Sequence, residues 1–278
     1  MKYKIILDSM SNLVQGDKLA DDVDLDVVPL TLRLNDVDYV DDGHNDLSEI
    51  IPMVLKDKKL ESSTSCPSPH AFLDCMKGAD KYIIIITLSQ RVSGSYNSAC
   101  LAKTMAEDPS SVFVLDSMSD CGVIELIARK AIDLIHEGKS FEEICDTIEK
   151  YREEVNILFI VDRYDTLIRK GRVNKLVASI ASILKIKPLG IAKGGEIRIQ
   201  EKVRTLEGTV KRLIVNIEKF CADTKDKVCI ISHTLNPEKA NMVKDMIKEK
   251  YQFKEIIIRD NSLVNSYYGL TGCVMVSF

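Results

Sequence analysis

The chain lacks several features that would place it in a large class of proteins at once. No apolar run reaches the roughly 18 residues that a membrane-spanning helix needs. The formal net charge is −4 and the isoelectric point is about 5.7, which argues against a broad basic surface for nucleic acid. No two of the eight cysteines are spaced as Cys-x-x-Cys. We therefore expect reduced, mostly buried thiols in a cytoplasmic protein that binds no nucleic acid.

Common catalytic and metal-binding signatures are also missing. The sequence contains no Gly-x-x-x-x-Gly-Lys-[Ser/Thr], no Gly-x-Gly-x-x-Gly, no Gly-x-Ser-x-Gly and no His-Glu-x-x-His. The four histidines are scattered without metal-ligand spacing. His233 follows an apolar strand and could line a site, but a lone histidine more often has a structural role. Asp8 and Asp116 could form a carboxylate pair, although accepting backbone N–H groups in turns is the simpler interpretation.

The first half of the chain alternates strands and helices. Ser48 or Asp46 can cap the first helix, and Ser140 with Glu143 forms a capping box for the last. Apolar residues at helical spacing predict helices over 50–58, 95–107, 121–137 and 140–153. This alternation predicts an α/β fold with a parallel, doubly wound sheet.

The second half follows a different pattern, which predicts an α+β arrangement. Two β-type runs flank Lys193, Gly194 and Gly195 and predict a hairpin. The predicted strands cover 156–161, 185–192, 196–203, 228–231, 255–258 and 273–278, and the predicted helices cover 206–221 and 237–251. We place two domains at 1–155 and 156–278. Because no Pro/Gly/Ser-rich linker marks the boundary, we expect the domains to pack closely.

Two hydroxyl-rich segments are candidate anion sites. The first is Ser-Ser-Thr-Ser-Cys-Pro-Ser-Pro at 62–69, with Ser68 placed to cap a helix, and the second is Ser-Gln-Arg-Val-Ser-Gly-Ser at 89–95. Each is expected to be a loop that opens a helix. Unpaired N–H groups at a helix start, together with hydroxyl groups, favour a carboxylate or phosphate. The alternative is that these residues only cap helices.

A short repeat supports the first interpretation. The pentapeptide Leu-Asp-Ser-Met-Ser occurs at 7–11 and again at 115–119, each time after a β-type run. Leu88 and Ser89 occupy the same position after the isoleucine run at 83–86. In parallel α/β sheets, ligands bind beyond the carboxyl ends of the strands. The alternative is a coincidence of ordinary turn residues.

One basic segment, at 163–173, offers a counter-charge. Arg172 follows Gly171, where the backbone can approach a partner closely. A guanidinium group can hold a carboxylate through two parallel hydrogen bonds. The alternative is that the whole segment is a solvated charged face.

Taken together, eight segments in the same order resemble the DegV family of bacterial lipid-binding proteins. The resemblance covers essentially the whole chain. It lies in Asp-Ser-Met-Ser-Asn-Leu at 8–13, Val-Pro-Leu at 28–30, Thr-Ser-Cys-Pro-Ser-Pro at 64–69, Ser-Gly-Ser-Tyr-Asn-Ser-Ala at 93–99, Asp-Ser at 116–117, the segment 167–173, Leu-Lys-Ile-Lys-Pro at 184–188 and Val-Arg-Thr at 203–205.

The resemblance implies a Rossmann-like N-terminal domain, an α+β C-terminal domain and one long-chain fatty acid bound between and within them. It implies no catalytic residues, no metal and no cofactor besides the fatty acid. The protein would be a lipid carrier, not an enzyme alone, and would present its ligand to a separate fatty acid kinase, with transient contact at a membrane surface. Carried over by motif, the residues that contact the carboxylate would be Thr64, Ser65, Ser93, Gly94, Arg172 and Tyr267.

Tyr267 marks a departure from the family pattern. The family has His-Thr-Gly-Pro-Gly near its C-terminus, and alignment on Gly269 places Tyr267 where the histidine stands. A tyrosine hydroxyl can bond a carboxylate but carries no positive charge near neutral pH. Two alternatives therefore stay open: a lipid-binding regulator without kinase coupling, and an enzyme that acts on a small anionic substrate with Ser or Asp catalysis.

Overall fold

The structure, a computed structural model, describes residues 3–57, 59–79, 81–161, 163–174, 177 and 186–278. Its first half contains four neighbouring strands: β1 (Tyr3–Asp8), β2 (Asp24–Val28), β6 (Tyr82–Thr87) and β7 (Val112–Asp116). They form a sheet in the order β2-β1-β6-β7, and every neighbouring pair is parallel. The predicted parallel α/β sheet is confirmed.

Helices cover both faces of this sheet. The helices of the first half are α1 (Leu47–Lys56), α2 (Pro69–Met76), α3 (Ser95–Met105), α4 (Gly122–His136) and α5 (Phe141–Tyr151). Ile83 and Ile85 pack in the apolar cluster that includes α2 and α3, whereas Ile84 and Ile86 pack in the cluster that includes α4. Because successive side chains of a strand point to opposite faces, a run of isoleucines buries both faces at once.

The predicted helix caps are confirmed, although α1 begins at Leu47 and not at the predicted position 50. Asp46 is the N-cap of α1 and accepts the Ser48 N–H at 2.8 Å, so Ser48 lies inside the helix. Ser68 caps α2, and Ser140 forms the capping box of α5 with Glu143. The helices end one to two residues before the predicted ends because each last turn is closed by a capping N–H instead of a further helical residue.

A second, three-stranded sheet in the first half differs from the prediction. It contains β3 (Thr31–Leu34), β4 (Val37–Val40) and β5 (Ser62–Ser65), is antiparallel throughout, and has the order β4-β3-β5. The segment at 62–65, expected to be a loop, is therefore a strand. Its side chains are all hydroxyls, so it carries no apolar alternation, and its backbone bonds to β3 make it a strand.

The second half is built on a six-stranded mixed sheet in the order β10-β9-β8-β13-β11-β12. The strands are β8 (Ile157–Ile160), β9 (Leu189–Lys193), β10 (Glu196–Glu201), β11 (Val228–His233), β12 (Glu255–Asp260) and β13 (Val274–Ser277), and the helices are α6 (Asp165–Arg169), α7 (Leu206–Phe220), α8 (Pro237–Lys250) and α9 (Leu263–Gly269). The α+β prediction is confirmed.

The hairpin of this sheet begins later than predicted. Strand β9 starts at Leu189 because Pro188 has no N–H for a ladder bond, whereas Lys187 donates its N–H to the carbonyl of Val203 instead. Position 185, the predicted start, lies outside the described residues. Gly194 and Gly195 both have positive φ, at 60° and 81°, as the predicted tight turn requires.

The two large sheets share one apolar core. The cluster around α4 also contains Phe159 of β8 and Met275 of β13, and α4 lies so close to the second sheet that a Cβ on Gly122 would stand 2.8 Å from Ile230. The outer face of the second sheet is covered by α7 and α8. Close packing of the two halves is thus confirmed, and the boundary at 155 stays a prediction.

Two expectations from composition concern the thiol groups of the cysteines and the length and apolar character of the helices. Free thiols are found at Cys66, Cys75, Cys100, Cys121, Cys145, Cys221 and Cys229. Five of the eight cysteines are buried: Cys121, Cys145, Cys221, Cys229 and Cys273. Among the helices of the described residues, none combines the length and the apolar character that crossing a bilayer would require.

Candidate ligand-binding cavity

A cavity of about 280 Å³ lies between the two large sheets. This volume is near the lower end of the range for small-molecule pockets. Most of its wall is apolar and comes from both halves of the chain. The apolar lining residues are Met10, Leu30, Leu88, Val92, Phe159, Val161, Leu167, Ala192, Ile197, Val264 and Met275.

The wall residues from the first half of the chain lie at the carboxyl ends of parallel strands. Met10 follows β1, the segment from Leu88 to Gly94 follows β6, and Ser119 and Asp120 follow β7. Parallel strands end at one edge of their sheet, so these three turns meet. The three strand ends therefore line one cavity, and ligand binding there, expected from the Leu-Asp-Ser-Met-Ser repeat, stays a prediction.

Asp8 and Asp116 hold these turns in place and do not pair with each other. Asp8 accepts the Leu88 N–H at 2.9 Å, and Asp116 accepts the Met118 N–H at 2.9 Å and the Gln90 N–H at 3.3 Å. Both carboxylates are buried. The structure therefore shows the simpler interpretation from the sequence, in which both carboxylates accept backbone N–H groups.

Thr64, Ser65, Ser93, Gly94 and Arg172 all line the cavity. They come from β5, from the turn before α3 and from the residues after α6. Gly94 is the N-cap of α3, and a Cβ there would stand 3.0 Å from the Cys66 sulfur. A glycine thus lets the two hydroxyl-rich segments approach each other at the N-terminus of an eleven-residue helix.

The hydroxyl groups at this end are fixed by hydrogen bonds. The Thr64 hydroxyl bonds to the Tyr268 hydroxyl at 2.8 Å, and the Ser93 hydroxyl bonds to the Ser95 hydroxyl at 3.0 Å. The Ser93 Oγ also accepts the Ser95 N–H at 3.2 Å. Each hydroxyl keeps further hydrogen-bonding capacity, because an O–H group is one donor and two acceptors.

Arg172 brings a positive charge to this end of the cavity. Its backbone N–H donates to the Leu167 carbonyl at 2.9 Å, and Gly171 before it has φ 65°, which turns the chain at the end of α6. Its guanidinium donates to the Lys170 carbonyl at 3.5 Å. Within the described part of the chain, no carboxylate lies within ion-pair distance of it. An anionic ligand would supply the missing charge.

The structure places Tyr267 differently from the expectation. Its side chain is fully buried, its hydroxyl bonds to the Ser62 hydroxyl at 2.8 Å, and it is not part of the cavity wall. Burial raises its pKa, partly opposed by Ser62 and Arg169. The neighbouring residue, Tyr268, lines the cavity instead. Successive residues of a helix point about 100° apart, so the two tyrosine side chains point in different directions.

His233 has a structural position outside the cavity. It is buried at the end of β11, and its Nδ1 accepts the Asn236 N–H at 3.4 Å. The described residues contain no group of three or more His, Cys, Asp or Glu side chains placed to hold a metal ion. None of the cavity-lining residues in the described ranges is a histidine.

Sequence reasoning missed four polar residues of the wall: Tyr268, Asn265, Asp120 and Glu196. Asn265 donates to the carbonyl of Met10 at 3.0 Å and to the Asn12 side chain at 2.6 Å. Asp120 follows Ser119, the last residue of the repeat at 115–119. That repeat was the only sequence signal that the turn after β7 lines a site. Nothing in the sequence marks which side chains after a strand end point inward.

Comparisons with known proteins agree with this architecture. A family model described as "Uncharacterised protein, DegV family" matches residues 2–277. A DegV domain-containing protein of Streptococcus pyogenes serotype M3 is 31% identical over 282 residues, which cover 100% of this chain and 99% of that protein.

Solved structures of similar proteins superpose along the whole chain. The Streptococcus pneumoniae Fatty Acid Kinase (Fak) B3 protein, loaded with linoleic acid, has 30% identity and a TM-score of 0.90 over 100% of this chain and 99% of its own. A DegV family protein of Ruminococcus gnavus with vaccenic acid has 28% identity and a TM-score of 0.89 over 99% of both chains. A DegV family protein of Eubacterium eligens, loaded with heptadecanoic acid, has 29% identity and a TM-score of 0.87 over 99% and 98%. This chain belongs to the DegV family.

Proposed function

We propose that this protein binds one long-chain fatty acid and presents its carboxylate to a separate fatty acid kinase. The carboxylate lies at Thr64, Ser65, Ser93, Gly94 and Arg172, and the acyl chain lies along the apolar wall. The observation that carries this proposal is the guanidinium of Arg172, which stands without a carboxylate partner among the described residues at the hydroxyl-lined part of a largely apolar cavity.

The energetics of such a ligand match the two parts of the wall. Each methylene group removed from water contributes roughly 0.8 kcal/mol, so a long chain binds tightly through apolar contacts alone. The carboxylate has the opposite requirement, because an unpaired buried charge is costly. Arg172 supplies the charge, and the hydroxyls of Thr64 and Ser93 supply donors.

The relatives support the ligand class and, more narrowly, the partner. Three similar proteins hold linoleic, vaccenic and heptadecanoic acid in their structures. The kinase partner is supported by the Fak B3 protein alone. The proposed carrier role therefore has two separable parts, fatty acid binding and kinase coupling.

Native mass spectrometry of the purified protein, followed by solvent extraction of the lipid, tests the first part. We expect one fatty acid per chain. Arg172→Ala and Ser93→Ala should lower its retention. Arg163→Ala is the matched control, because Arg163 lies in the same basic segment but is exposed and ion-paired with Asp165 at 2.6 Å. An empty protein that also refuses added fatty acids would contradict the proposal.

Acyl-phosphate formation with a purified fatty acid kinase and ATP tests the second part. A second candidate function, a lipid-binding regulator without kinase coupling, is favoured by one observation: a tyrosine, Tyr268, stands at the wall where no described lining residue is a histidine. A loaded protein that supports no acyl-phosphate formation would point to the regulator.

The enzyme alternative has a weaker geometric basis. The Ser93 hydroxyl bonds to Ser95, a side chain that cannot act as a general base near neutral pH. Hydrolysis of esters or phosphates that disappears in Ser93→Ala would favour that alternative over the carrier.

A further inference from the structure

We propose that Ser119 and Asp120 form a second polar subsite in the cavity, which binds a hydroxyl group carried on the acyl chain of the ligand. This inference rests on the proposed function, because it assumes a fatty acid in the cavity. It narrows the ligand class from fatty acids in general to hydroxy fatty acids.

The first observation is an unsatisfied hydroxyl group. Ser119 lines the cavity, is only 8% exposed, and its Oγ has no hydrogen-bond partner among the described residues. Buried polar groups in native proteins are nearly always paired, and each exception calls for a specific partner. The cavity is the space from which that partner can come.

The second observation is the carboxyl group next to it. Asp120 also lines the cavity, and no Lys or Arg of the described chain forms an ion pair with it. The cavity wall around it includes the apolar side chains of Met10 and Met275. Burial among them raises the pKa of Asp120 to about 6, opposed only by the Cys121 side chain.

The backbone holds both side chains in position. The Ser119 carbonyl accepts the Ser89 N–H at 2.8 Å, the Asp120 carbonyl accepts the Val123 N–H at 3.2 Å, and the Cys121 N–H donates to the Met10 carbonyl at 2.8 Å. These bonds anchor the turn to β6, to α4 and to the end of β1. A polar pair fixed in this way can select a ligand group by position.

The pair is distinct from the carboxylate subsite. Ser119 and Asp120 come from the turn after β7, whereas Thr64 comes from β5 and Arg172 from the end of α6. The ligand carboxylate and a group bound at Asp120 are therefore different parts of one molecule.

A hydroxyl group fits this pair better than other polar groups. It can donate to an oxygen of Asp120 and accept the O–H of Ser119 at the same time. A second carboxylate on the ligand would stand against Asp120 without a cation. A plain methylene chain would leave both groups unpaired, which costs affinity relative to a chain that pairs them.

Competitive loading tests the inference. The protein is incubated with an equimolar mixture of stearic acid and one monohydroxystearic acid at a time, with the hydroxyl at different carbons, and native mass spectrometry measures the bound ratio. We expect a preference of about tenfold for one hydroxy isomer over stearic acid. Asp120→Leu and Ser119→Ala should each reduce this preference, and Asp120→Leu should turn it toward stearic acid.

Asp133→Leu is the matched control, because Asp133 is an exposed carboxylate on the outer side of α4 and its replacement should keep the preference. A preference that persists in Asp120→Leu and Ser119→Ala would overturn the assignment. Binding of stearic acid at least as tight as that of every hydroxy isomer would overturn the inference and leave the proposed function standing. Refusal of all these acids by the wild type would contradict the proposed function, and this inference with it.

Discussion

The hydroxyl groups of Thr64 and Tyr268 lie 2.8 Å apart and join strand β5 to helix α9 at the cavity wall. Two residues earlier on the same face of β5, Ser62 bonds to Tyr267 at 2.8 Å. The two tyrosine rings meet edge to face with centroids 5.0 Å apart. Strand β5 is thus held by a pair of adjacent tyrosines, of which only Tyr268 lines the cavity.

Replacement of the two tyrosines should separate these roles. Tyr267→Phe leaves the Ser62 hydroxyl without its partner, so we expect a loss of about 1 kcal/mol in the free energy of unfolding and unchanged fatty acid retention. Tyr268→Phe frees the Thr64 hydroxyl at the carboxylate, so retention should change. Chemical denaturation and native mass spectrometry measure the two effects. Lost retention in Tyr267→Phe at unchanged stability would instead place Tyr267 at the carboxylate, as the family motif suggests.

Gly190 should be intolerant of a side chain. It pairs with Phe159 across β8 and β9, and a Cβ there would stand 2.1 Å from the Phe159 ring. Because Phe159 also lines the cavity, Gly190→Ala should push the ring into it and cost about 1–3 kcal/mol of stability, the usual range for overpacking.

The matched test for Gly190 is the double variant Gly190→Ala with Phe159→Leu. The smaller side chain makes room for the new methyl group, so the double variant should recover part of the stability and of the ligand retention of Gly190→Ala. Additive losses in the double variant would contradict the proposed contact.

The stability of the ligand-free protein should depend on pH through Asp120. Burial raises the pKa of Asp120 from 3.8 to about 6 in the folded state. Its contribution to stability is therefore fully present below about pH 4 and is lost as the pH rises through about 6. Asp120→Asn should equal the wild type near pH 4 and exceed it near pH 7 by up to about 3 kcal/mol.

Denaturation curves at a series of pH values check this prediction. Burial likewise raises the pKa of Asp8, to about 7, but Asp8 is present in both proteins and cancels from the difference. Asp133 lies on the exposed side of α4, so the free energy of unfolding of Asp133→Asn should depend on pH in the same way as that of the wild type. A difference between Asp120→Asn and the wild type that stays constant over pH would show that Asp120 is not the group responsible.

Asp41 should anchor the helix that carries the tyrosines. Its carboxylate accepts the N–H groups of Leu263 at 2.6 Å and Val264 at 3.3 Å, and the Ser9 hydroxyl at 2.8 Å. Asp41→Ala removes three bonds to one buried group, so we expect a loss of about 2–3 kcal/mol of stability together with faster release of the fatty acid.

The control for Asp41 is Asp46→Ala, which removes an exposed N-cap at α1. We expect a loss of about 1 kcal/mol there and unchanged ligand release. Equal effects of the two substitutions on release would contradict a special role of Asp41 in anchoring helix α9, which contributes to the cavity wall.

Local sequence signals predicted most of the fold. The capping box at Ser140, the cap at Ser68 and the isoleucine run of β6 each depend on a few neighbouring residues, and all were confirmed. Strand β5 could not be predicted because it is four hydroxyl residues long and owes its conformation to β3, about thirty residues away.

The site was predictable only as far as motifs reach. Five residues selected by motif line the cavity. Tyr267 does not line it and Tyr268 does, because a motif does not fix the rotation of a helix about its axis. No sequence signal marked Asp120 itself, although the repeat at 115–119 marked the turn to which it belongs. The direction of the Asp120 side chain depends on hydrogen bonds between its turn and the ends of β1 and β6, which are distant in sequence.

The most direct test of the central claim compares a fatty acid with its alcohol. Dissociation constants of stearic acid and stearyl alcohol are measured for the wild type, for Arg172→Ala and for Arg163→Ala as control. If the cavity holds a carboxylate at Arg172, the wild type and the control should prefer the acid by roughly ten- to a hundredfold, and Arg172→Ala should lose that preference. Equal affinity of the wild type for the acid and the alcohol would contradict the account.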